Sequence, residues 1–154
     1  MDEKSFQKHI AKMRKQIEQT CASGLPKIVG ARLVEMMKQN FQEEGFFGEK
    51  WRDVLRRTDP KRRNPHHPSD ARRKILTGRT ADLGRSIDFK TEQNAVTVFS
   101  DKVYAAVHNE GGRAGRGLRT VIPQRRFLGH HDMTDREIKA LIKRELDKIT
   151  QSTN

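Results

Sequence analysis

Histidine is the residue type of this chain that offers catalytic or metal chemistry. Two adjacent pairs occur, His66-His67 and His130-His131, and His108 is followed by Asn109. Adjacent residues on a helix or strand point in different directions, so neither pair is a natural two-ligand metal site. The chain also lacks a His-Glu-x-x-His motif and an Asp-rich calcium loop. We therefore predict no metal, no cofactor and no catalytic residue.

A metal-dependent nuclease is the enzymatic alternative, with His108-Asn109 and His130-His131 at its centre. The basic charge of the chain suits such an enzyme. However, no cluster of carboxylates brackets these histidines in a hairpin-then-helix unit. We expect His108 to make a structural hydrogen bond instead.

A glycine-rich stretch, Gly-Gly-Arg-Ala-Gly-Arg-Gly, occupies residues 111–117. It lacks the Gly-Lys-Ser/Thr of a nucleotide-binding loop and does not lie between a strand and a long helix. It is either a solvated loop or a positive surface that contacts phosphate or an acidic neighbour, and we favour the second. The candidate contact residues are Arg113, Arg116, Arg119, Arg125 and Arg126. No helix-turn-helix pattern indicates sequence-specific DNA binding.

Composition favours an acidic partner. The 154 residues include 32 Lys and Arg against 20 Asp and Glu, a net charge of +12. Such a charge favours association with nucleic acid, an acidic protein or an anionic membrane, although a merely basic soluble protein is also compatible with it. Apolar residues make up 33% of the chain, which predicts a thin core.

Cellular location is only weakly indicated. A single cysteine, Cys21, excludes a disulfide within one chain. No apolar run approaches the roughly 20 residues that cross a bilayer, and the start lacks a signal-peptide core. We expect the protein to stay in the cytoplasm or to enter an assembly built there.

Two helices are predicted in residues 1–45. The first runs from about Glu3 to Thr20 with a narrow apolar stripe, which needs a second helix or a partner subunit to cover it. A break is expected at residues 23–26, where Ser23 would cap a second helix that ends near Gly45. The stripe consists of Phe6, Ile10, Met13 and Ile17.

Residues 56–74 are predicted to form a long mobile basic loop. Three prolines and a run of positive charges argue against regular structure there. The loop is either a solvated linker or an arm that becomes ordered on an acidic partner. Both interpretations remain open at this point.

Residues 75–154 are predicted to hold a hairpin, a basic loop and a C-terminal helix. Thr80 would cap a helical turn that ends at Ser86. Alternating residues predict strands at 87–91 and 95–100, with a candidate third strand at 119–122. Tyr104, Val107 and His108 have helical spacing before Gly111-Gly112. A capping box at residues 134–137 would begin the last helix.

Together these elements predict a single α+β domain over residues 1–154. An N-terminal helical pair and a C-terminal helix would pack on a small, mainly antiparallel sheet, with the long basic loop outside it.

The order of these features resembles the phage virion morphogenesis family, also called tail completion proteins. The specific part is His-x-x-Gly-Gly at residues 108–112 followed by Ile-Pro-x-Arg-x-Phe-Leu-Gly at 122–129. Family members often carry Pro between the Arg and the Phe, where this chain has Arg126. The structural motif residues are Trp51, Leu83, Tyr104, His108, Gly111, Gly112, Pro123, Arg125, Phe127, Leu128 and Gly129.

This resemblance implies a structural phage or prophage protein of the head–tail junction or the head-proximal tail end. Relatives of this kind assemble as rings, often of six subunits. The implied partners are copies of the chain, other neck or tail proteins and packaged DNA, with no membrane. The implied location is the virion, and the bacterial host cytoplasm during assembly. A non-specific nucleic-acid-binding protein that acts alone is the alternative.

Overall fold

The computed structural model describes residues 2–151 and has an α+β fold, as predicted. Within those residues, no helix combines the length and the apolar character needed to cross a membrane. The helices are α1 Glu3–Gln19, α2 Leu25–Glu43, α3 Leu55–Thr58, α4 Asp82–Arg85, α5 Ala105–Glu110 and α6 Asp132–Gln151. The strands are β1 Gly45–Phe46, β2 Glu49–Lys50, β3 Ile87–Glu92, β4 Ala95–Ser100, β5 Gly112–Ala114 and β6 Thr120–Ile122.

Helices α1 and α2 confirm the predicted helical pair, but the predicted break between them is wrong. The Asp2 carboxylate caps α1 by accepting a hydrogen bond from the Ser5 amide at 2.7 Å. A π-helical turn, Thr20–Gly24, then continues directly into α2. The Ser23 hydroxyl donates to the Gln19 carbonyl at 3.1 Å and so does not act as a cap. Pro26 lies in the first turn of α2, directly after the π-helical turn.

Three two-stranded sheets are formed, by β1 with β2, β3 with β4, and β5 with β6. The second is the predicted hairpin, and β4 alternates between exposed and half-buried residues as one wet face requires. The third sheet contains strand β6, which lies within the strand predicted at residues 119–122. Strand β6 pairs antiparallel with β5, from Gly112 opposite Ile122 to Ala114 opposite Thr120. Part of the glycine-rich stretch is therefore a strand, because Gly115 and Gly117 turn the chain back at positive φ.

The chain divides into two compact units. Unit 1 comprises residues 1–33, 89–97 and 131–154, of which the structure describes 2–33, 89–97 and 131–151. Its core consists of Leu25, Val29 and Leu141, with Val96 and Ile138 among the partly buried side chains around them. Unit 2 comprises residues 34–88 and 98–130. Its larger core consists of Met37, Phe41, Phe46, Trp51, Ile75, Leu83, Ile87, Ala105 and Phe127.

Two helices, α4 and α6, begin at positions other than the predicted ones. Helix α4 begins after Ala81, which has a φ of 57°, and not after Thr80. Helix α6 begins at Asp132, earlier than predicted, because His131 caps it. The His131 Nδ1 accepts from the Met133 amide at 3.1 Å, and the Thr134 hydroxyl oxygen accepts from the His131 amide at 3.3 Å. A histidine and a threonine thus form a reciprocal cap of the capping-box kind.

Residues 56–74 contain more regular structure than predicted. Helix α3 extends to Thr58, and 3₁₀ turns follow at Pro60–Arg62 and Pro68–Arg72. Proline stands at the start of both 3₁₀ turns, where its missing amide is not needed. The expectation of no regular structure is therefore wrong, whereas the predicted mobility of the segment stays a prediction, as does the single domain.

Candidate functional site

The segment from Tyr104 to Gly129 is folded back on itself by backbone contacts. Helix α5 ends at Gly111, which has a φ of 77°. A Cβ atom at Gly111 would lie 2.9 Å from the Gln124 amide nitrogen, so only glycine fits there without displacement. The Arg125 amide donates to the His108 carbonyl at 2.8 Å. The two halves of the predicted motif are therefore neighbours in space.

Two asparagines hold the second half of the motif, the half-buried Asn109 and the buried Asn40. Sequence reasoning named Asn109 only as part of the nuclease alternative and assigned Asn40 no role. The Asn109 Oδ1 accepts from the amides of both Phe127 and Leu128 at 2.9 Å. Asn40, only 1% exposed, donates to the Phe127 carbonyl at 3.2 Å and accepts from the Phe47 amide at 3.1 Å. Asparagine suits this task because its amide group both donates and accepts. No sequence signal marks Asn40, which lies in the last turn of α2.

The apolar motif residues form the centre of unit 2. Phe127 is completely buried, and its ring lies 5.1 Å from that of Phe41. The Trp51 ring packs edge-on against Phe41 at 5.6 Å, and its indole nitrogen donates to the Arg126 carbonyl at 2.7 Å. Leu83 belongs to the same cluster, and Leu128 packs against it. These residues position the segment; they do not offer a reactive group.

The arginines named as contact candidates separate into exposed and buried side chains. Arg113, Arg116 and Arg119 are exposed on the β5–β6 hairpin and on the turn that joins its strands. Arg126 is exposed as well, with its guanidinium 4.7 Å above the centre of the Phe46 ring. Arg125 differs because it is only 7% exposed. Its Nε donates to the Arg52 carbonyl at 3.1 Å and its Nη2 to the Asp53 carbonyl at 3.5 Å.

Arg125 lines a cleft of about 390 Å³, which we call the arginine cleft. Burial, followed by the charges of Arg56 and Arg52, lowers the pKa of Arg125. Burial lowers the pKa of His108, and the positive charge of Arg125 lowers it further. Both effects favour the neutral imidazole. The Tyr104 ring stands edge-on to His108 at 6.1 Å. The cleft is lined by Val54, Arg56, Asp70, Arg73, Ile75, Leu76, Thr77, Gly78, Thr80, Asp82, Leu83, Tyr104, His108 and Arg125.

Arg56 and Arg57 fasten the segment that forms one wall of this cleft. Arg56 donates to the carbonyls of Asp70, Arg73 and Lys74 at 2.9–3.1 Å. Arg57 makes a bidentate pair with Glu44 at 2.6 and 3.1 Å and also donates to the Arg73 carbonyl at 2.8 Å. Arginine serves here because its fork of donors reaches several carbonyl groups at once.

Glu44 is the carboxylate at the centre of this arrangement. It accepts from the Ile75 amide at 2.6 Å in addition to Arg57. The hydrogen bond from Arg57 lowers the pKa of Glu44, with further lowering from the Ile75 amide and Lys74, against the effect of burial. The ionised carboxylate is therefore the form that the fold stabilises.

The histidines considered for the nuclease alternative were His108, His130 and His131. Among residues 2–151, no group of three or more His, Cys, Asp or Glu side chains is placed to hold a metal ion. The structure instead brings Tyr104, His108 and Arg125 together at the arginine cleft. Arg113, Arg116 and Arg119 lie apart from them on the exposed hairpin. The site is thus a packed structural motif with a polar cleft and a basic hairpin.

Comparison with protein families identifies the class of protein. The phage virion morphogenesis family matches residues 1–147, and the chain therefore belongs to that family. This is a family of structural morphogenesis proteins of phages that are generally not enzymes, and membership implies an association with the virion. The resemblance described from the sequence is confirmed at this level.

A curated relative supports the same assignment over a shorter stretch. The chain is similar to the Mu-like prophage FluMu G protein 2 of Haemophilus influenzae, with 43% identity over 49 residues. The match covers 32% of this chain and 36% of the length of that relative. No solved structure matches the chain.

Proposed function

We propose that this protein completes phage tails and joins them to filled heads, acting at the head–tail junction or at the head-proximal tail end. The match to the virion morphogenesis family over residues 1–147 supports a structural role in the virion. The name of the similar Haemophilus influenzae protein supports a phage or prophage origin. The role we propose is structural, without catalysis, and is carried out in the host cytoplasm before the protein becomes part of the tail or neck.

The proposed assembly is a ring of copies of this chain, with six as the expected number. The observation that carries this proposal is the apolar stripe of α1, which is incompletely covered. Phe6 is 55% exposed and Ile10 is 45% exposed. Burying a large apolar side chain contributes about 1.5–3 kcal/mol, so a neighbouring subunit that covers both gains substantial stability. Exposed apolar residues at helical spacing are typical of a helix that packs against a partner.

The β5–β6 hairpin is the proposed contact with other components. Its three exposed arginines favour an acidic neck or tail protein, or non-specific contact with the phosphates of packaged DNA. The same hairpin is the observation that favours the alternative, a non-specific nucleic-acid-binding protein acting alone. The hairpin arginines are Arg113, Arg116 and Arg119.

Deletion of the gene from an inducible phage or prophage tests the proposed function. Electron microscopy of the lysate should show filled heads separate from tails, and infectivity should return when the wild-type gene is supplied. A variant with Phe6→Glu and Ile10→Glu should fail to restore infectivity, because its stripe can no longer be buried. Lys8→Glu on the exposed face of the same helix is the matched control and should restore it. Normal virions from the deletion strain would refute the proposal.

Binding of the purified protein to a DNA duplex distinguishes the alternative. A stand-alone DNA-binding protein should remain monomeric and bind tightly at 50 mM salt, with affinity falling by about 10³-fold or more at 200 mM. The structural protein should bind free DNA weakly at both concentrations. Cleavage of the duplex with added Mg²⁺ or Mn²⁺, abolished by His108→Ala, would support the nuclease and contradict both.

A further inference from the structure

Two positively charged side chains of the arginine cleft form no ion pair among the residues that the structure describes. Among the described residues 2–151, neither Arg56 nor Arg125 forms an ion pair with a carboxylate. Both guanidinium groups bond only to backbone carbonyls, which are neutral. Both are also partly or largely buried, and burial lowers the pKa of each. The negative charge of Asp53 acts on both groups, and that of Glu44 acts on Arg56, but these charges raise the two pKa values less than burial and the neighbouring arginines lower them. A buried charge is costly unless an opposite charge compensates it, so the cleft favours an anion.

The carboxylates that line the cleft do not supply this compensation. Asp70 pairs with Arg73 and with Arg79, which lies 3.4 Å away, and its charge is therefore already balanced. Asp82 is exposed to solvent, where its charge is screened.

Polar groups without a hydrogen-bond partner among residues 2–151 remain at the cleft. The Nη1 group of Arg56 and the Nη1 group of Arg125 take part in none of the hydrogen bonds that these two arginines form. The Nδ1 atom of His108 is buried and has no hydrogen-bond partner among residues 2–151. The side-chain hydroxyls of Thr80 and Tyr104 also line the cleft. These groups suit a ligand that accepts several hydrogen bonds and carries negative charge.

The wall formed by residues 75–81 has an unusual backbone. Leu76 has a φ of 60° and Ala81 a φ of 57°, although neither residue is a glycine. A left-handed conformation costs a residue with a side chain about 1–2 kcal/mol, and such strain concentrates at ligand sites. The fold therefore holds Leu76 and Thr77 at the cleft at a cost in local conformational free energy.

The dimensions of the cleft select the kind of ligand. A volume of about 390 Å³ accepts one or two side chains of a peptide. A DNA duplex presents its phosphates on a broad convex surface and does not enter a cleft of this size. The apolar members of the lining, Val54, Ile75 and Leu83, would contact the methylene groups of a side chain. A glutamate or aspartate side chain satisfies the charge, the hydrogen bonds and the size together.

We infer that the arginine cleft binds a carboxylate side chain of an acidic segment in a neighbouring protein, with Arg56 and Arg125 as the charged contacts. The neighbour would insert the side chain between α3 and the start of α5, against the wall formed by residues 75–78. This binding site is independent of where in the virion the protein acts, and the gene-deletion experiment does not depend on it.

Nuclear magnetic resonance of the uniformly ¹⁵N-labelled full chain tests the inference. The probes are the capped tripeptides Ala-Glu-Ala and Ala-Gln-Ala, which differ only in the charge of the central side chain. The glutamate peptide should bind with a dissociation constant in the millimolar range and should shift the amides of residues 75–78, His108 and Arg125. The bound carboxylate should also raise the pKa of His108. The glutamine peptide should produce neither effect.

Variants show whether the cleft arginines are responsible. Arg125→Gln and Arg56→Gln should each weaken binding of the glutamate peptide at least fivefold. Arg116→Gln removes an exposed arginine outside the cleft and should leave the affinity unchanged. The peptide-induced rise of the His108 pKa in the wild-type protein remains a valid test if either cleft variant fails to fold.

Three results would overturn the inference. The first is equal shifts with the glutamate and glutamine peptides. The second is an equal loss of affinity in the Arg116→Gln control, which would indicate non-specific attraction to the basic protein. The third is tighter binding of inorganic phosphate, or of a 12-base-pair duplex, at the same cleft residues, which would assign the site to phosphate.

Discussion

Arginine is frequent in two stretches of this chain, residues 55–74 and residues 112–126, which the sequence presents as similar basic loops. In the first stretch, Arg56 and Arg57 bond to carbonyls and to Glu44, and they fasten the backbone. In the second, Arg113, Arg116 and Arg119 are exposed on a hairpin. Similar charge runs therefore serve folding in one place and offer a contact surface in the other.

The difference follows from what lies within reach of each guanidinium group. Residues 55–74 fold into short turns, so several carbonyl groups end near one side chain. In the β5–β6 hairpin, Arg113 lies on a paired strand and Arg116 and Arg119 lie in the connecting turn, and all three side chains are exposed. Arg125 follows the hairpin in sequence but belongs with the inward arginines, since it bonds to the Arg52 and Asp53 carbonyls.

The largest expected effect is on stability, from Arg57→Ala. The substitution leaves the partly buried Glu44 carboxylate without its bidentate partner and the Arg73 carbonyl without a donor. We expect the free energy of unfolding to fall by about 2–3 kcal/mol, measured by urea denaturation. Arg62→Ala removes a side chain that is 68% exposed and is the matched control, with an expected change below about 0.5 kcal/mol. Equal losses would show that the segment is not fastened by Arg57.

A second, smaller effect concerns the pH dependence of stability through Glu44. Arg57 holds the folded pKa of Glu44 below its unfolded value near 4.5, so the native state binds fewer protons. The stabilisation is therefore complete above pH 4.5 and is lost as the pH falls through the lower, folded pKa. Glu44→Gln should be less stable than the wild type at pH 7, by about 1–2 kcal/mol, and the difference should shrink towards pH 3. A difference that stays constant over this range would contradict the role of the ionised carboxylate.

A third test compares the buried Arg125 with the exposed Arg116 by their effects on the pKa of His108. Burial and the nearby Arg125 lower the pKa of His108 below 6.5 in the folded protein. As the pH falls, His108 is therefore protonated in the unfolded chain at a higher pH than in the folded protein. The free energy of unfolding should decline as the pH falls from about 6.5 towards the folded pKa. In chloride buffer without peptide, Arg125→Gln should raise the pKa of His108, measured from its Cε1 proton resonance. Arg116→Gln should leave the pKa of His108 unchanged. An equal rise in this variant would show that the effect is not specific to Arg125.

The smallest expected effect on stability comes from the exposed arginines. Replacing Arg113, Arg116 and Arg119 individually by alanine should change the free energy of unfolding by less than about 0.5 kcal/mol. The triple variant should nevertheless bind acidic partners more weakly, and any residual binding to DNA should lose about one unit of salt slope for each phosphate contact removed. Thermal unfolding and fluorescence anisotropy measure the two quantities. Marked destabilisation would show that the hairpin arginines support the fold.

Much of the secondary structure was predictable because it depends on local patterns. The apolar spacing of α1 and α2 and the alternation of β3 and β4 gave elements close to those observed. The caps were less predictable, since His131 and Ala81 occupy positions where propensity favours other residues. Strand β6 was predicted, but its pairing with β5 was not, because sequence patterns identify strands without identifying the strands they pair with.

The candidate site was predicted in part. The motif residues from Tyr104 to Gly129 were recognised from the sequence, and family membership over residues 1–147 is confirmed. Their use as functional contacts stays a prediction. The arginine cleft was not foreseen, because its walls come from segments about 30–70 residues apart that meet only in the folded chain. Asn40, whose partner Phe127 lies 87 residues away, was missed for the same reason.

The sequence by itself determined the amphipathic helices, the alternating hairpin, the net charge of +12 and the family, since each depends on residue type and short-range order. Only the tertiary structure decided which arginines face inward, which asparagines hold the Phe127 backbone and which two guanidinium groups of the described residues bond to carbonyls without forming an ion pair. The physical reason is that burial and hydrogen-bond partners are properties of distance in space, and a side chain acquires them only when distant segments are brought together.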